Sequence, residues 1–172
     1  GEETILAGDV LYAKVYSDGS CREGNLRGVA RAGWGVHFAP NSPHNVSAPL
    51  DGPMQTSYRA ELKAVLHIVR HTTVPTMIMC DCQAVVNTFT RLIEDSVMPC
   101  NIREQDLWDQ IATLVQGLST KEICIQRMPG HLNEPHKAKH RYELLKNGTI
   151  TQGDIDGNVA ADKLADQGAD AH

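Results

Sequence analysis

The chain has no apolar run approaching the roughly eighteen residues a membrane helix requires, and its first residues, GEETILAGDV, are acidic where a secretory leader is basic. These absences exclude a helical membrane span by sequence and argue against membrane association. A CxxC pair is also lacking: Cys21, Cys80, Cys82, Cys100 and Cys124 are odd in number and spaced unlike a zinc or dithiol redox site. They read as reduced, mostly buried thiols, pointing to a reducing intracellular compartment, cytoplasmic or nuclear. Positive charge is not in excess, with 16 Lys and Arg against 21 Asp and Glu and a net charge of −5. Without a global basic footprint, an anionic partner has to be met locally or through bound cations. HExxH, GxGxxG and P-loop patterns, repeats and low-complexity tracts are missing as well. The loop REGNLRG around Gly24 therefore reads as a plain turn rather than a phosphate cradle. His136 and His140 read as neighbours on a helix face rather than a zinc site. There is no initiator methionine: the chain starts at Gly1, and it is expected to be a segment of a longer polypeptide.

What is present is an ordinary globular balance. With 41% apolar and 22% charged residues over 172 positions, the chain is long enough for one buried core and short for two domains. We take residues 1–9 as an N-terminal extension and 10–172 as a single domain, monomeric in isolation. VLYAKVYS (10–17), AGWGVHFA (32–39) and HNVSAPL (44–50) read as strands of an antiparallel meander, punctuated by Gly, Pro and Asn. From Thr56 or Ser57 to about His71, a hydroxyl cap followed by Leu62, Val65, Leu66 and Val69 at helical spacing predicts a helix. PTMIMC (75–80) is a short apolar run of buried-strand type that ends at Asp81. Helices are predicted over about 83–94 and 103–118, the second with Leu107, Ile111, Leu114 and Val115 on one face, and KEICIQRM (121–128) alternates as a fifth strand. The Ala-rich DGNVAADKLADQGA, opened by a capping Asp or Asn, reads as the last helix, preceded by a polar, partly basic insert at 133–155. Strands alternating with helices after a meander imply a mixed α/β sheet covered on both faces.

Within that frame, Asp18 directly follows an apolar run and Asp81 ends another, while Glu61 lies on the intervening helix and Asp162 on the last one. Sites in α/β sheets form at the carboxyl ends of strands, and like charges buried there are costly unless cations are bound. Hard oxygen ligands suit Mg²⁺ or Mn²⁺, and two such ions roughly 3.5–4 Å apart can activate water and stabilise the leaving oxygen in phosphodiester cleavage. Each acid alone has an ordinary explanation as a turn, a cap or a solvated face. Their order and context together point to a site.

These motifs resemble a type 1 ribonuclease H domain, in style closest to the domains attached to reverse transcriptases of retroviruses and LTR-type retroelements. The matching pieces run from about residue 12 to 169: YSDGSC with Asp18, AGWGV, TSYRAELKAV with Glu61, CDCQAV with Asp81, DLWDQI, and MPGHLNE followed by GNVAADKLADQGA with His131 and Asp162. The resemblance implies a five-stranded mixed sheet, three antiparallel strands followed by two parallel, with helices on both faces. It implies an endonuclease that hydrolyses the RNA strand of an RNA:DNA hybrid with two Mg²⁺ ions, Mn²⁺ substituting, and leaves 5′-phosphate and 3′-hydroxyl ends. By the same resemblance Asp18 bridges both ions, Asp162 completes the one beside the attacking water, and Glu61 and Asp81 hold the one beside the leaving oxygen. His131 would assist proton movement or product release, a role that suits an imidazole titrating near neutral pH. Cys21 and Thr56 match positions near a pocket that grips a DNA phosphate, Ser57 a hybrid contact and Gln83 a minor-groove contact; Asn158, in GNVAAD, joins the substrate-binding set. The implied partners are the hybrid, read by shape and 2′-hydroxyls more than by base sequence, and a covalently linked reverse transcriptase domain.

This chain departs from the family pattern in two places. Some members carry a basic helix-and-loop handle where this chain has the short RLIEDSVMPCNIREQ, in which Glu94, Asp95 and Glu104 stand against Arg91 and Arg103. With few cations to neutralise phosphates, weak intrinsic hybrid binding is expected. The gap between His131 and Asp162 is longer than usual, and its insert carries Lys137, Lys139, Arg141 and Lys146. It is a solvated excursion, a replacement hybrid clamp formed by Lys137, Lys139 and Arg141, or a contact to a neighbouring domain. A polynucleotidyl transferase of the same fold is disfavoured by the helical context of Glu61, by Gln83 and by the PGH loop. A catalytically weak or inactive nucleic-acid-binding scaffold is disfavoured by the presence of all four acids.

Overall fold

The computed structural model describes residues 3–23 and 29–172, so the expected turn at Gly24 lies outside the described residues. In chain order it contains β1 (Thr4–Ala7), β2 (Val10–Arg22), β3 (Arg31–His37), β4 (Val46–Pro49), α1 (Ser57–His71), β5 (Thr76–Cys80), α2 (Gln83–Glu94), α3 (Gln105–Val115) and β6 (Ile123–Arg127). A 3-10 turn at Pro135–Lys137 then leads into α4 (Ala138–Lys146), and α5 (Gln152–Asp170) closes the chain. The sheet runs β4-β3-β2-β5-β6, with β1 added on β2. β2 pairs antiparallel with β3 and parallel with β5, and β6 continues the parallel side. The meander and the parallel pair are as predicted.

β2 organises the sheet, and its period-2 alternation sends Val15 to one face and Tyr16 to the other. On the first face α1, α2 and α3 cover the larger core, where Leu62, Leu66, Phe89, Trp108 and Ile111 pack with Val15 and Ile78. Full burial stabilises each such side chain by about 1.5–3 kcal/mol before entropy is counted. Thr56 starts α1 by accepting a hydrogen bond from the Arg59 amide, as the hydroxyl-cap signal requires. On the second face Tyr16, Met79, Met128, Leu132, Ile150, Ile155 and Ala161 form a smaller core.

Four expectations need correction. Residues 4–7, read as an extension, form a sixth strand: a two-residue link places Gly8 at φ 62°, which suits a tight hairpin, and pairs Ala7 with Val10. β2 does not stop before Asp18 but continues to Arg22, because β3 goes on pairing with it as far as Arg22↔Arg31. The last helix begins well before Asp156: Thr151 and Asp154 form a reciprocal capping box that starts α5 at Gln152. On α3, Leu114 is exposed while Trp108 is buried in the core.

Candidate active site

The acids converge because of where the parallel ladder ends. Ser17↔Cys80 is the last β2–β5 pair, so Asp18 and Asp81 leave it side by side at the carboxyl end of β5. Glu61 reaches them because Gly19 lets α1 come very close: a Cβ there would lie 2.5 Å from the Glu61 backbone nitrogen. Ligand oxygens of Asp18, Glu61 and Asp81 all fall within 4.8 Å of one another. Asp18 Oδ1 accepts from the Gly19 amide at 2.9 Å, and the buried Cys80 thiol lies 4.0 Å from Glu61 Oε2.

Asp162 arrives on α5, which lies along β2 in matched steps. Four helical residues rise about 6.0 Å and two strand residues about 6.6 Å. Lys14, Tyr16, Asp18, Ser20 and Arg22 on β2 can therefore face Asp154, Asn158, Asp162, Asp166 and Asp170 on α5. Lys14 Nζ and Tyr16 OH donate to Asp154 Oδ1 at 2.8 and 2.6 Å, Ser20 Oγ donates to Asp166 Oδ1 at 2.5 Å, and Arg22 Nε donates to Asp170 Oδ1 at 3.2 Å. Along this ladder Asp162 lies on the side of Asp18 and the buried Asn158 on the side of Asp81, both near enough to act on the charge of these acids, although Asp162 is outside the group of three whose oxygens come within 4.8 Å of one another. Asn158, expected among the substrate-binding residues, is buried on α5 with its amide lowering the pKa of Asp81.

Removal from water pushes the Asp18 carboxyl far up, and the charges of Glu61 and Asp81 push it further. Glu61 is raised well above the ordinary range by its burial and then by the Asp81 charge. Burial also raises Asp81, with Asp162 adding to the rise, while the Asn158 amide and the His131 charge oppose it. Among the described residues, no lysine or arginine forms an ion pair with these three acids. Beyond what the Asn158 amide and His131 offset at Asp81, relief has to come from protons or bound cations, and an all-oxygen set of this kind suits a hard divalent ion. Asp154 behaves oppositely: burial pushes it up, yet hydrogen bonds from Lys14, Tyr16 and the Thr151 backbone leave it below the usual range.

His131 is exposed on the loop after β6 with φ 58°, its Nδ1 3.7 Å from Glu134 Oε1. Cys21 is half-buried with Sγ 3.5 Å from the Gln55 carbonyl, so it lies beside Thr56, whose hydroxyl caps α1, and the exposed Ser57. Gln83, exposed at the start of α2, donates to Asn87 Oδ1 at 2.7 Å. Residues 95–104 contain no helix, consistent with the missing handle. Of the three insert cations weighed as one alternative, a hybrid clamp, Lys137 and Arg141 donate to loop carbonyls of Gly130 and Leu132, while Lys139 is exposed and forms no such bond among the described residues. Sequence reasoning also missed Asp154, although Thr151-x-x-Asp154 carries a capping-box signal.

The mixed sheet and the carboxylates at the end of its parallel ladder define a ribonuclease H-like α/β protein. Residues 12–170 match the RNase H family model, and the chain belongs to that family. It is 29% identical over 121 residues to ribonuclease H of Schizosaccharomyces pombe, covering 68% of this chain and 46% of the relative. To ribonuclease H1 of Mus musculus it is 29% identical over 167 residues, covering 90% of this chain and 49% of the relative. The chain thus spans about half the length of the curated relatives it matches. Among solved structures, the RNase H domain of prototype foamy virus superposes with a TM-score of 0.62 at 22% identity, covering 92% of this chain and 94% of that one. The foamy virus protease-reverse transcriptase superposes with a TM-score of 0.62 at 23% identity, covering 91% of this chain and 20% of that one. These likenesses establish the fold.

Proposed function

We propose that the chain is a divalent-metal-dependent endonuclease that hydrolyses the RNA strand of RNA:DNA hybrids, leaving 5′-phosphate and 3′-hydroxyl ends. It would act as the ribonuclease H domain of a retroelement reverse transcriptase. The single observation that carries this reading is the meeting of Asp18, Glu61 and Asp81 within 4.8 Å at the end of the parallel ladder, in a chain whose family is RNase H. Support for the substrate comes from a structural neighbour, the foamy viral protease-reverse transcriptase solved with an RNA/DNA hybrid, at a TM-score of 0.56.

Asp18, Glu61, Asp81 and Asp162 would hold two Mg²⁺ ions, with Mn²⁺ as substitute. Bound there, the ions would supply an activated water and charge stabilisation for the leaving oxygen. The protein's own contribution is placement. β2 and β5 fix Asp18 and Asp81, α1 presents Glu61, α5 presents Asp162, and Asn158 steadies Asp81. His131, exposed beside Asp81, would shuttle a proton or speed product departure. Cys21, Thr56 and Ser57 gather at the start of α1, at one side of Gly19, where a strand of the hybrid would run.

Labelled hybrid, duplex DNA and duplex RNA incubated with Mg²⁺, Mn²⁺ or chelator test the proposal. Loss of only the RNA strand of the hybrid, with metal and with wild type but not Asp81→Asn, is expected. Hybrid left intact under every metal condition would refute it.

A further inference from the structure

The insert between β6 and α5 has no task in the reaction as described, and two of its cations, Lys137 and Arg141, point inward. Lys137 Nζ donates to the Gly130 carbonyl at 3.0 Å. The Arg141 guanidinium donates to the Leu132 carbonyl and, at 3.5 Å, to that of Glu134. Lys137 and Arg141 stand four apart, so they share one side of the helical segment, whereas the exposed Lys139 lies off that side. Both are partly shielded from water, where charge-assisted hydrogen bonds to carbonyls are strong.

The two carbonyls flank His131. Gly130 is seated against Asp81, since a Cβ on it would come within 2.9 Å of Asp81 Oδ2, and Leu132 is buried in the smaller core. Between them His131 has φ 58°, a conformation uncommon for a residue with a Cβ, which contacts on either side help to impose. The insert supplies that imposition from one face.

We propose that Lys137 and Arg141 are positioning residues: the insert is a brace that fixes the 130–132 turn and so holds His131 beside Asp81. This rests on the role assigned to His131 in hydrolysis. A phosphate clamp would require the same cations to be free for the substrate backbone, and their hydrogen-bonding capacity is directed at the turn.

Steady-state hybrid cleavage is compared for Lys137→Ala/Arg141→Ala, His131→Ala and the triple variant, with ¹⁵N relaxation of residues 130–134. The brace predicts that the double variant loses about tenfold or more in kcat, the scale of a small misplacement, with KM nearly unchanged. In the His131→Ala background the same double substitution costs nothing further, because the two act through one group. Lys137→Arg/Arg141→Lys restores part of the loss. Backbone order over 130–134 falls in the double variant and holds in Lys139→Ala. A raised KM and a flatter salt dependence at constant kcat, or penalties that simply add to that of His131→Ala, would establish the clamp and overturn the brace. If the wild type cuts no hybrid, the hydrolase reading fails on its own. The relaxation data then decide the brace, and unaltered order over 130–134 in the double variant overturns it.

Discussion

On one face of the sheet, α1, α2 and α3 pack Leu62, Leu66, Phe89 and Trp108 onto Val15 and Ile78. On the other, α5 meets Lys14, Tyr16 and Ser20 through Asp154 and Asp166. The first face depends mainly on apolar burial, which is insensitive to pH and salt over ordinary ranges. The second depends in addition on buried charge whose balance changes with protons and ions. The acidic cluster lies where the two meet: Glu61 comes from a helix of the apolar face and Asp18 and Asp81 from the strands between, while the helix of the charged face carries Asp162, the fourth acid of the proposed site. Rigid apolar packing places one acid, and a charged ladder sets the register of another.

Substitutions where the faces meet break the comparison most severely. Asp18→Asn or Asp81→Asn should reduce RNA-strand cleavage by about 10³-fold or more, the several kcal/mol that metal coordination contributes to such a transition state, as read from single-turnover rates. The folded protein should survive, since each change removes a buried charge.

Next come the supports of each face. Asp154→Ala strands the Lys14 ammonium in the interior and should cost about 3–5 kcal/mol in urea unfolding. Phe89→Ala empties part of the apolar core and should cost a similar amount, about 3–5 kcal/mol. They separate in cleavage: the folded fraction of Phe89→Ala retains its rate, whereas Asp154→Ala, which loosens the start of α5 and with it Asp162, does not.

A smaller effect concerns protons. Asp18, Glu61 and Asp81 are raised in the folded state, so without divalent cation the folded chain binds more protons than the unfolded one. Stability is then fullest below the ordinary carboxyl pKa and is lost as pH rises through the folded values, by about 1.4 kcal/mol per pH unit for each proton in the difference. Thermal unfolding in chelator should show the melting temperature climbing as pH is lowered from neutral to about 5, with Asp18→Asn flattening the slope. The lowered Asp154 works in the opposite sense, and its contribution disappears only in stronger acid.

The smallest change is expected at the rim. Arg59 pairs with Glu104 at 2.6 Å and with Asp106 at 2.8 Å, across partly exposed surface between α1 and α3. Arg59→Ala should cost about 1 kcal/mol or less, diminishing with added salt.

The sequence was most informative where one local signal governs the outcome. The Thr56 cap and the spacing of Leu62, Val65, Leu66 and Val69 place α1, and therefore Glu61. Apolar runs ending in Asp18 and Asp81 place two acids at one end of the sheet, because the parallel ladder stops at Ser17↔Cys80. β1 was illegible since four residues are too few to display an alternation, and its pairing rests on the Gly8 turn. The start of α5 was hidden by the Ala-rich run downstream, although the Thr151–Asp154 box marks it. The directions of Lys137 and Arg141 could not be read at all: a basic run looks the same in sequence whether it faces phosphate or, as here, the carbonyls of its own chain.

Calorimetric titration of Mn²⁺ near neutral pH, in buffers of different ionisation enthalpy, tests most directly whether the buried carboxylates require a divalent cation. Wild type should bind saturably and release protons as the ion displaces them from the raised carboxyls, and Asp18→Asn should lose that binding. Binding without proton release, or equal binding by Asp18→Asn, would contradict the cluster's assignment as the metal centre.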